Sequence, residues 1–250
     1  MSEFKLPTKK QKPLDENPRF MVLFGRPKQG KTTLMAGLEN NLIVDLEDGT
    51  NYIEAMAVKA NSINDLRQIR QAVIEAGKPY KYITIDTITV LEDLVNALAL
   101  QLYRATPMGK HFGLKADGTY DMNIDIKTLP NGAGYLYVRD AFFKVLDSFR
   151  GISEYLILVG HTKDKNINKE GKELSENSLD LSGKLERLVC SKADALGFIY
   201  REGNKTHVNF NGGGDSIVEA RPSHLRGQDL IIMESDDDGN LTYYWDKIFK

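Results

Sequence analysis

The chain has 250 residues, 41% apolar and 27% charged, which suits one large α/β domain with a full core. Its 33 basic and 35 acidic residues leave a net charge of −2, so any nucleic-acid surface must come from local patches rather than a polybasic whole. The one cysteine, Cys190, excludes an internal disulfide and fits a reducing cytoplasm, while no run approaches the ~18 apolar residues of a membrane span and no apolar leader core is present.

In chain order, residues 1–18 carry Lys5, Lys9, Lys10 and Lys12 among three prolines and are expected to form a flexible basic arm. Phe20-Met21-Val22-Leu23-Phe24 is an unbroken apolar run of strand length, followed by Gly25-Arg26-Pro27-Lys28-Gln29-Gly30-Lys31-Thr32 and a helical stretch from Thr33 to Glu39. Asn41 to Asp45 predicts a second buried strand. Ser62-Ile63-Asn64-Asp65 resembles a capping box opening a helix with Ile63, Leu66, Ile69, Val73 and Ile74 on one face, stopped by Gly77-Lys78-Pro79. Tyr82 to Asp86 is a third strand, and Val90 to Tyr103 a long helix. Residues 106–134 read as irregular, with Lys110, His111, Lys115 and Lys127. Tyr135 to Phe149 is helical, Tyr155 to His161 a fourth strand, Thr162 to Ser182 a polar connection and 183–190 a short helix. Ala195–Arg201 and Thr206–Phe210 form a hairpin about Glu202-Gly203-Asn204. The alternation predicts an α/β domain over 19–225, a mostly parallel sheet with helices on both faces and a C-terminal β-hairpin. An extension over 226–250 holds the acidic turn Asp236-Asp237-Asp238-Gly239.

The eight residues from Gly25 to Thr32 match the phosphate-loop pattern G-x-x-x-x-G-K-[ST] in the required setting of strand, turn and helix start. Backbone N–H groups there converge on one concavity favoured by the helix dipole, making Gly25 through Thr33 the candidate phosphate cradle. Lys31 adds a point charge for the β- and γ-phosphates and the Thr32 hydroxyl is suited to ligate Mg²⁺. A second metal-side acid should end a buried strand beside the loop, and Asp86 does. Hydrolysis also needs a carboxylate that orients and deprotonates water. Glu47, just past the second strand, is the candidate, with Asp45 and Asp48 competing. His161 ends the fourth strand at the same edge, where a polar side chain could touch a γ-phosphate. Cys190 reads as a buried structural thiol, and the four histidines have no metal-ligand spacing.

Taken together, the GxxxxGKT strand–loop–helix, Val44-Asp45-Leu46-Glu47, Ile83-Thr84-Ile85-Asp86-Thr87 and Leu156-Ile157-Leu158-Val159-Gly160-His161 resemble the RecA-like ATPases. The compact phage members of the single-strand annealing or recombination type are the most similar, over roughly residues 18–225. That resemblance implies ATP and Mg²⁺ as cofactors, Glu47 as catalytic base, Asp86 on the metal side and His161 coupling the γ-phosphate to DNA. It implies single-stranded DNA as partner, contacted by segments 106–134 and 162–182. The candidates there are Lys163, Lys165, Lys169 and Lys172, with Phe112 and Tyr120 available for base stacking. It also implies a homo-oligomeric ring or filament in the host cytoplasm, with Arg221, or else Arg201, reaching a neighbour's γ-phosphate. The last 25 residues lie outside the resemblance.

Other P-loop classes fit less well. A GTPase needs D-x-x-G after the third strand and N-K-x-D elsewhere; Asp86-Thr87-Ile88-Thr89 fails the first and the second is absent. A partitioning ATPase would place a lysine directly after Gly25, where Arg26 stands. A small-molecule or nucleotide kinase would offer an arginine-rich lid, and 106–134 contains no arginine. A scaffold of the helicase-loader kind, using ATP only to set its shape, needs the same pocket and stays open beside the ATPase reading.

Overall fold

The computed structural model describes residues 6, 8–13, 15–169, 172–212 and 217–250, without the side chains of 165–169 and 172–176. Its first element, β1 (Phe20–Gly25), is buried at all six positions. A strand covered on both faces must be apolar throughout rather than alternating, which is why this stretch reads as a continuous hydrophobic run. Then follow α1 (Lys31–Ala36), β2 (Asn41–Asp45), β3 (Ala57–Lys59), α2 (Ile63–Glu75), β4 (Tyr82–Asp86), α3 (Ile88–Leu94) and α4 (Asn96–Arg104). The middle of the chain gives α5 (Gly134–Phe149), β5 (Tyr155–Lys169), β6 (Lys172–Leu179) and α6 (Lys184–Lys192). Last come β7 (Ala195–Glu202), β8 (Lys205–Asn209), β9 (Glu219–Ala220), β10 (Asp229–Ser235) and β11 (Leu241–Tyr243).

These strands form one sheet in the order β11-β10-β8-β7-β1-β5-β4-β2-β3, with β6 paired to β5 and β9 to β7. The stretch from β7 to β3 is parallel, and β8, β10 and β11 continue it antiparallel. Alternate residues of the central strands feed two cores. Val22, Phe24, Val44, Ile85 and Leu158 pack with α2 to α6 on one face. Met21, Leu23, Ile43 and Ile157 pack with Leu34 and Met35 of α1 and with Trp245, Ile248 and Phe249 on the other. The α/β architecture with helices on both faces is therefore the one the alternation predicts.

Three local features differ from the sequence reading. The polar connection after His161 is not irregular: β5 runs on to Lys169 and returns antiparallel as β6, from Thr162 opposite Leu179 to Lys169 opposite Lys172. Its charged composition lacks the apolar alternation by which a half-buried strand is recognised. The long helix from Val90 is two helices. Beyond the break at Val95, the Asn96 side chain clamps the backbone of the following insert, donating to the Ile124 carbonyl at 2.8 Å and accepting from the Ile126 amide at 3.0 Å. Residues 226–250, set apart above as an extension, add β10 and β11 to the same sheet and pack Tyr243 against Gly37 at the end of α1. The Asn17 and Lys250 backbone and amide groups bond reciprocally, so the end of the basic arm is held at the close of the chain.

Gly197 of β7 marks where the sheet and second core meet most tightly. A Cβ there would lie 2.7 Å from Val208 and 2.9 Å from both Leu23 and Phe210. Gly197→Ala is expected to lower unfolding free energy by about 1–3 kcal/mol, the cost of overpacking a filled core, readable as a fall in the urea midpoint without a change in slope.

Candidate active site

Five side chains meet at the ends of β1, β2, β4 and β5, where parallel strands deliver their C-terminal loops. The register fixes this: Gly25 of β1 lies opposite His161 of β5, and Asp45 of β2 opposite Asp86 of β4. The strand carrying His161 thus sits between the phosphate-loop strand and the strand ending in Asp86.

The loop is shaped by two left-handed residues, Lys28 at φ 63° and Gly30 at φ 78°, the latter preceding α1. Among the described residues, the amides of Lys28, Gln29 and Gly30 find no protein acceptor, as an anion cradle requires. Gly25 has no room for a side chain, since a Cβ would fall 2.5 Å from the Ile199 carbonyl oxygen of β7. The loop is also pinned sideways, because the Arg201 amide donates to Gln29 Oε1 at 2.9 Å.

Lys31 is 6% exposed, and its ammonium donates to the Gly25 and Arg26 carbonyls at 3.2 and 3.0 Å and to His161 Nδ1 at 3.3 Å. Burial pushes its pKa down while the Asp86 and Glu47 charges pull it back. With the ammonium donating to Nδ1, the His161 proton sits on Nε2 and is donated to Glu47 Oε2 at 3.0 Å. Glu47 Oε2 also accepts from the Thr87 hydroxyl at 3.2 Å. The hydrogen bond from His161 does most to hold the Glu47 carboxyl below the usual range, against burial and with help from Thr87 and Lys31.

Asp86 is fully buried. Its Oδ2 accepts from the Thr32 hydroxyl at 2.6 Å, whereas its Oδ1 has no partner. Burial pushes its carboxyl up to about 6, with the Thr32 hydrogen bond and the Lys31 charge opposing. A desolvated carboxylate oxygen with nothing to bind is costly unless a ligand completes it. Hydroxyl and carboxylate oxygens are the hard donors that suit Mg²⁺, so Thr32 and Asp86 fit that ion. The backbone of Gly49 closes over the same spot: a Cβ there would stand 3.0 Å from Thr32 Oγ1.

Asp45 and Asp48 are otherwise occupied. Asp45 Oδ1 accepts from the Glu47 and Gly49 amides, both at 3.1 Å, and Oδ2 from the Thr50 amide and hydroxyl at 2.9 and 2.6 Å. Burial alone would raise its pKa, but those bonds outweigh it and hold the carboxyl low. Asp45 therefore organises the loop that presents Glu47. Asp48 is exposed and paired with Lys59.

Two residues of the site were not singled out in the sequence, Thr87 and Thr89, whose hydroxyls engage Glu47 and the His161 amide. Threonines directly after a strand-end aspartate were the available signal. Farther along α3, Glu92 is 5% exposed and accepts from the Ser182 amide at 2.8 Å, from the Ser182 hydroxyl and from Lys127 at 3.0 Å. Burial opposes the Lys127 charge, but Glu92 more than compensates and its pKa is raised. One carboxylate thus ties the 106–134 insert and the segment after β6 to the helix that follows Asp86.

The remaining candidates lie elsewhere. Lys163 is turned to the root of the hairpin, bonded to the Leu181 carbonyl and paired with Glu186 at 3.3 Å, so its charge is spent within the fold. The side chains of Lys165, Lys169 and Lys172 lie outside the described residues. Phe112 packs edge-on to Tyr103 of α4 and against the main core, while Tyr120 is 38% exposed under the Arg104 guanidinium. Arg201 stands beside the phosphate loop and bonds the Gly203 carbonyl at 3.0 Å. Arg221 is held by Asp194 at 3.0 Å and by the Ser191 carbonyl. The Asp194 amide donates to Phe20 at the start of β1, placing Arg221 near the opposite end of that strand from Lys31, a strand length of roughly 17 Å. Burial pushes the Cys190 thiol up to about 12, so it supplies no thiolate. No group of described His, Cys, Asp and Glu residues forms a metal cluster, and no described helix is long and apolar enough to cross a membrane.

Comparison with known proteins bears on the same region. No curated protein matches the chain. Among solved structures, a KaiC-like protein from the hyperthermophilic archaeon Pyrococcus horikoshii aligns with 16% identity over 90% of this chain and 89% of that one, at a TM-score of 0.44. The family model for an AAA domain matches residues 17–225, from just before β1 to beyond β9. With that match spanning the phosphate loop and all four strand ends of the site, the chain belongs to the AAA domain family and is a RecA-like P-loop ATPase in fold.

Proposed function

We propose that the chain is an Mg²⁺-dependent ATP hydrolase that engages single-stranded DNA in phage-type recombination, annealing or replication, and that it works as a homo-oligomer. The observation that carries the hydrolase reading is the unbroken run from Lys31 Nζ through the His161 ring to Glu47 Oε2, set beside the buried Thr32–Asp86 pair. Lys31 and the loop amides stabilise charge developing on the γ-phosphoryl group. Thr32 and Asp86 hold the metal, which when bound neutralises phosphate charge. Glu47 orients water towards the γ-phosphorus and takes its proton as the bond to the β-phosphate oxygen breaks, leaving ADP and phosphate. His161 and Thr87 fix the carboxylate's direction, and His161 is the group through which Lys31 and Glu47 sense each other.

The DNA reading is supported by the hairpin that continues β5 directly from His161 and by the Glu92 junction joining its root to the insert. The finger role stays with Arg201 and Arg221, which a neighbouring copy would have to present.

Glu47→Gln is expected to bind ATP as the native protein does but to hydrolyse it about 100-fold more slowly or worse. Normal turnover in that variant would remove Glu47 from the mechanism.

Single-stranded DNA should stimulate steady-state ATP hydrolysis, and its binding should weaken linearly on a log–log salt plot. A rate indifferent to DNA, with no salt-dependent binding, would point to the scaffold instead.

Asp86 also makes a pH prediction for the metal-free protein. Its folded pKa of about 6 lies above the ordinary value of ~3.9, so the folded state takes up this proton first as pH falls. The destabilisation due to the buried charge is full above pH 6 and fades towards pH 4. Asp86→Asn should therefore raise metal-free stability at pH 7.5 by on the order of 2 kcal/mol and flatten the pH profile of the melting temperature between 4 and 6.

A further inference from the structure

On the face opposite α1, helices α2, α4 and α5 leave a groove of about 360 Å³. Its floor is apolar, formed by Leu66, Leu98 and Val145, and the charged residues of its rim are all cationic, Arg67, Arg70 and Lys144, beside the neutral Gln71 and Ser148. Arg70 is oriented by its Nε donating to the Ser148 carbonyl at 2.7 Å, which leaves its terminal nitrogens unused. Among the described residues no carboxylate lies within ion-pair distance of any of the three: nearby Asp147 pairs with Arg150, and Asp65 binds the Asn61 amide. Three unneutralised cations around an apolar slot call for a ligand with carboxylates beside a bulky apolar side chain.

The chain presents that chemistry at its other extremity. The turn between β10 and β11 holds Asp236, Asp237 and Asp238, all exposed, and is followed by Leu241, 39% exposed on the outermost strand. Asp236 is used within the turn, bonding Asn240, whereas Asp237 and Asp238 have no partner among the described residues. The helices lining the groove connect strands of the half of the sheet from β5 to β3, whereas the turn joins the two outermost strands at the β11 edge. A single copy cannot bring them together, but two copies arranged head to tail can, and such a contact repeats into a ring or a filament.

We propose that the α2–α5 groove is the docking site for the Asp237–Leu241 turn of a second copy of this chain. The proposal supplies surfaces for the assembly proposed above and rests on that reading. Leu241 fills the apolar floor, Asp237 and Asp238 meet the cationic rim, and the complementary charges fix the direction of stacking. Neither surface includes a residue of the nucleotide site.

The test uses sedimentation of the full chain over a range of protein and salt concentrations, with ATP binding measured on the same samples. The native chain should form species heavier than its 28.1-kDa monomer and lose them as salt rises. Arg67→Glu with Lys144→Glu, and separately Asp237→Lys with Asp238→Lys, should each weaken association about tenfold or more while sparing ATP binding. An equimolar mixture of the two reversed variants should assemble again, because each then offers the charge the other lacks. Should the glutamate pair fail to fold, Arg67→Gln with Lys144→Gln serves in its place for the loss of association, and the mixing experiment then uses Arg67→Glu alone. A native chain that binds ATP yet stays monomeric at every concentration overturns the docking proposal and leaves the ATPase reading standing. Assembly indifferent to both reversals, a mixture that does not reassemble, or a groove variant that loses single-stranded DNA binding but not assembly would overturn it equally.

Discussion

The site depends on keeping a carboxylate charged where water cannot reach it. Asp86 is held at zero exposure against the Thr32 hydroxyl, with one oxygen left over. An isolated charge in that position would simply neutralise. It is kept near its working form by the Thr32 hydrogen bond and by Lys31, itself buried, whose charge opposes both the burial and the repulsion from the Glu47 carboxylate. Lys31 offsets part of the desolvation of both carboxylates and they of its own, while the two carboxylates repel each other. Removing Lys31 would therefore push both carboxyls up, and the site behaves as a unit rather than as a collection of ligands.

That unit is also anchored to more than the sheet. Thr87 and Thr89 attach Glu47 and the His161 backbone to the start of α3, and Glu92 about one turn further on grips both the insert and the segment closing the hairpin. Three to five residues of helix separate these contacts, a rise of about 5–7 Å. A short rigid rod with polar clamps at both ends keeps the projecting segments in register with the chemistry.

Much of this was legible in the sequence because the relevant signals are local. The phosphate loop needs its glycines and lysine at fixed spacing, and a parallel strand buried on both faces is an unbroken apolar run ending where a carboxylate becomes useful. Glu47, Asp86 and His161 could be placed at one edge on that basis. Choosing Glu47 over Asp45 rested on family resemblance. The physical ground for the choice, that Asp45 is consumed by four hydrogen bonds from its own loop, exists only once that loop is folded. The hairpin after His161 was hidden because strands outside the core have no burial pattern to betray them. The sheet's continuation through β10 was hidden for a different reason: it joins the sheet by pairing Asp229 with Asn209 across an irregular connection, and register of that kind leaves no local trace, while β11 only extends it as a short hairpin.

Strand β5 is continuous from Tyr155 in the core to Lys169 outside it. Where it leaves the core, Gly160 is pressed so closely by Leu179 that a Cβ would fall 2.5 Å from that side chain. The eight residues beyond His161 make an arm of roughly 26 Å at strand rise. An arm of that length is a lever: tilting its root by about 5° would sweep the far end through ~2 Å, comparable to the movements by which packed interfaces change state. A tilt at the histidine would thereby be enlarged at a distance, with no need for any part of the hairpin to unfold.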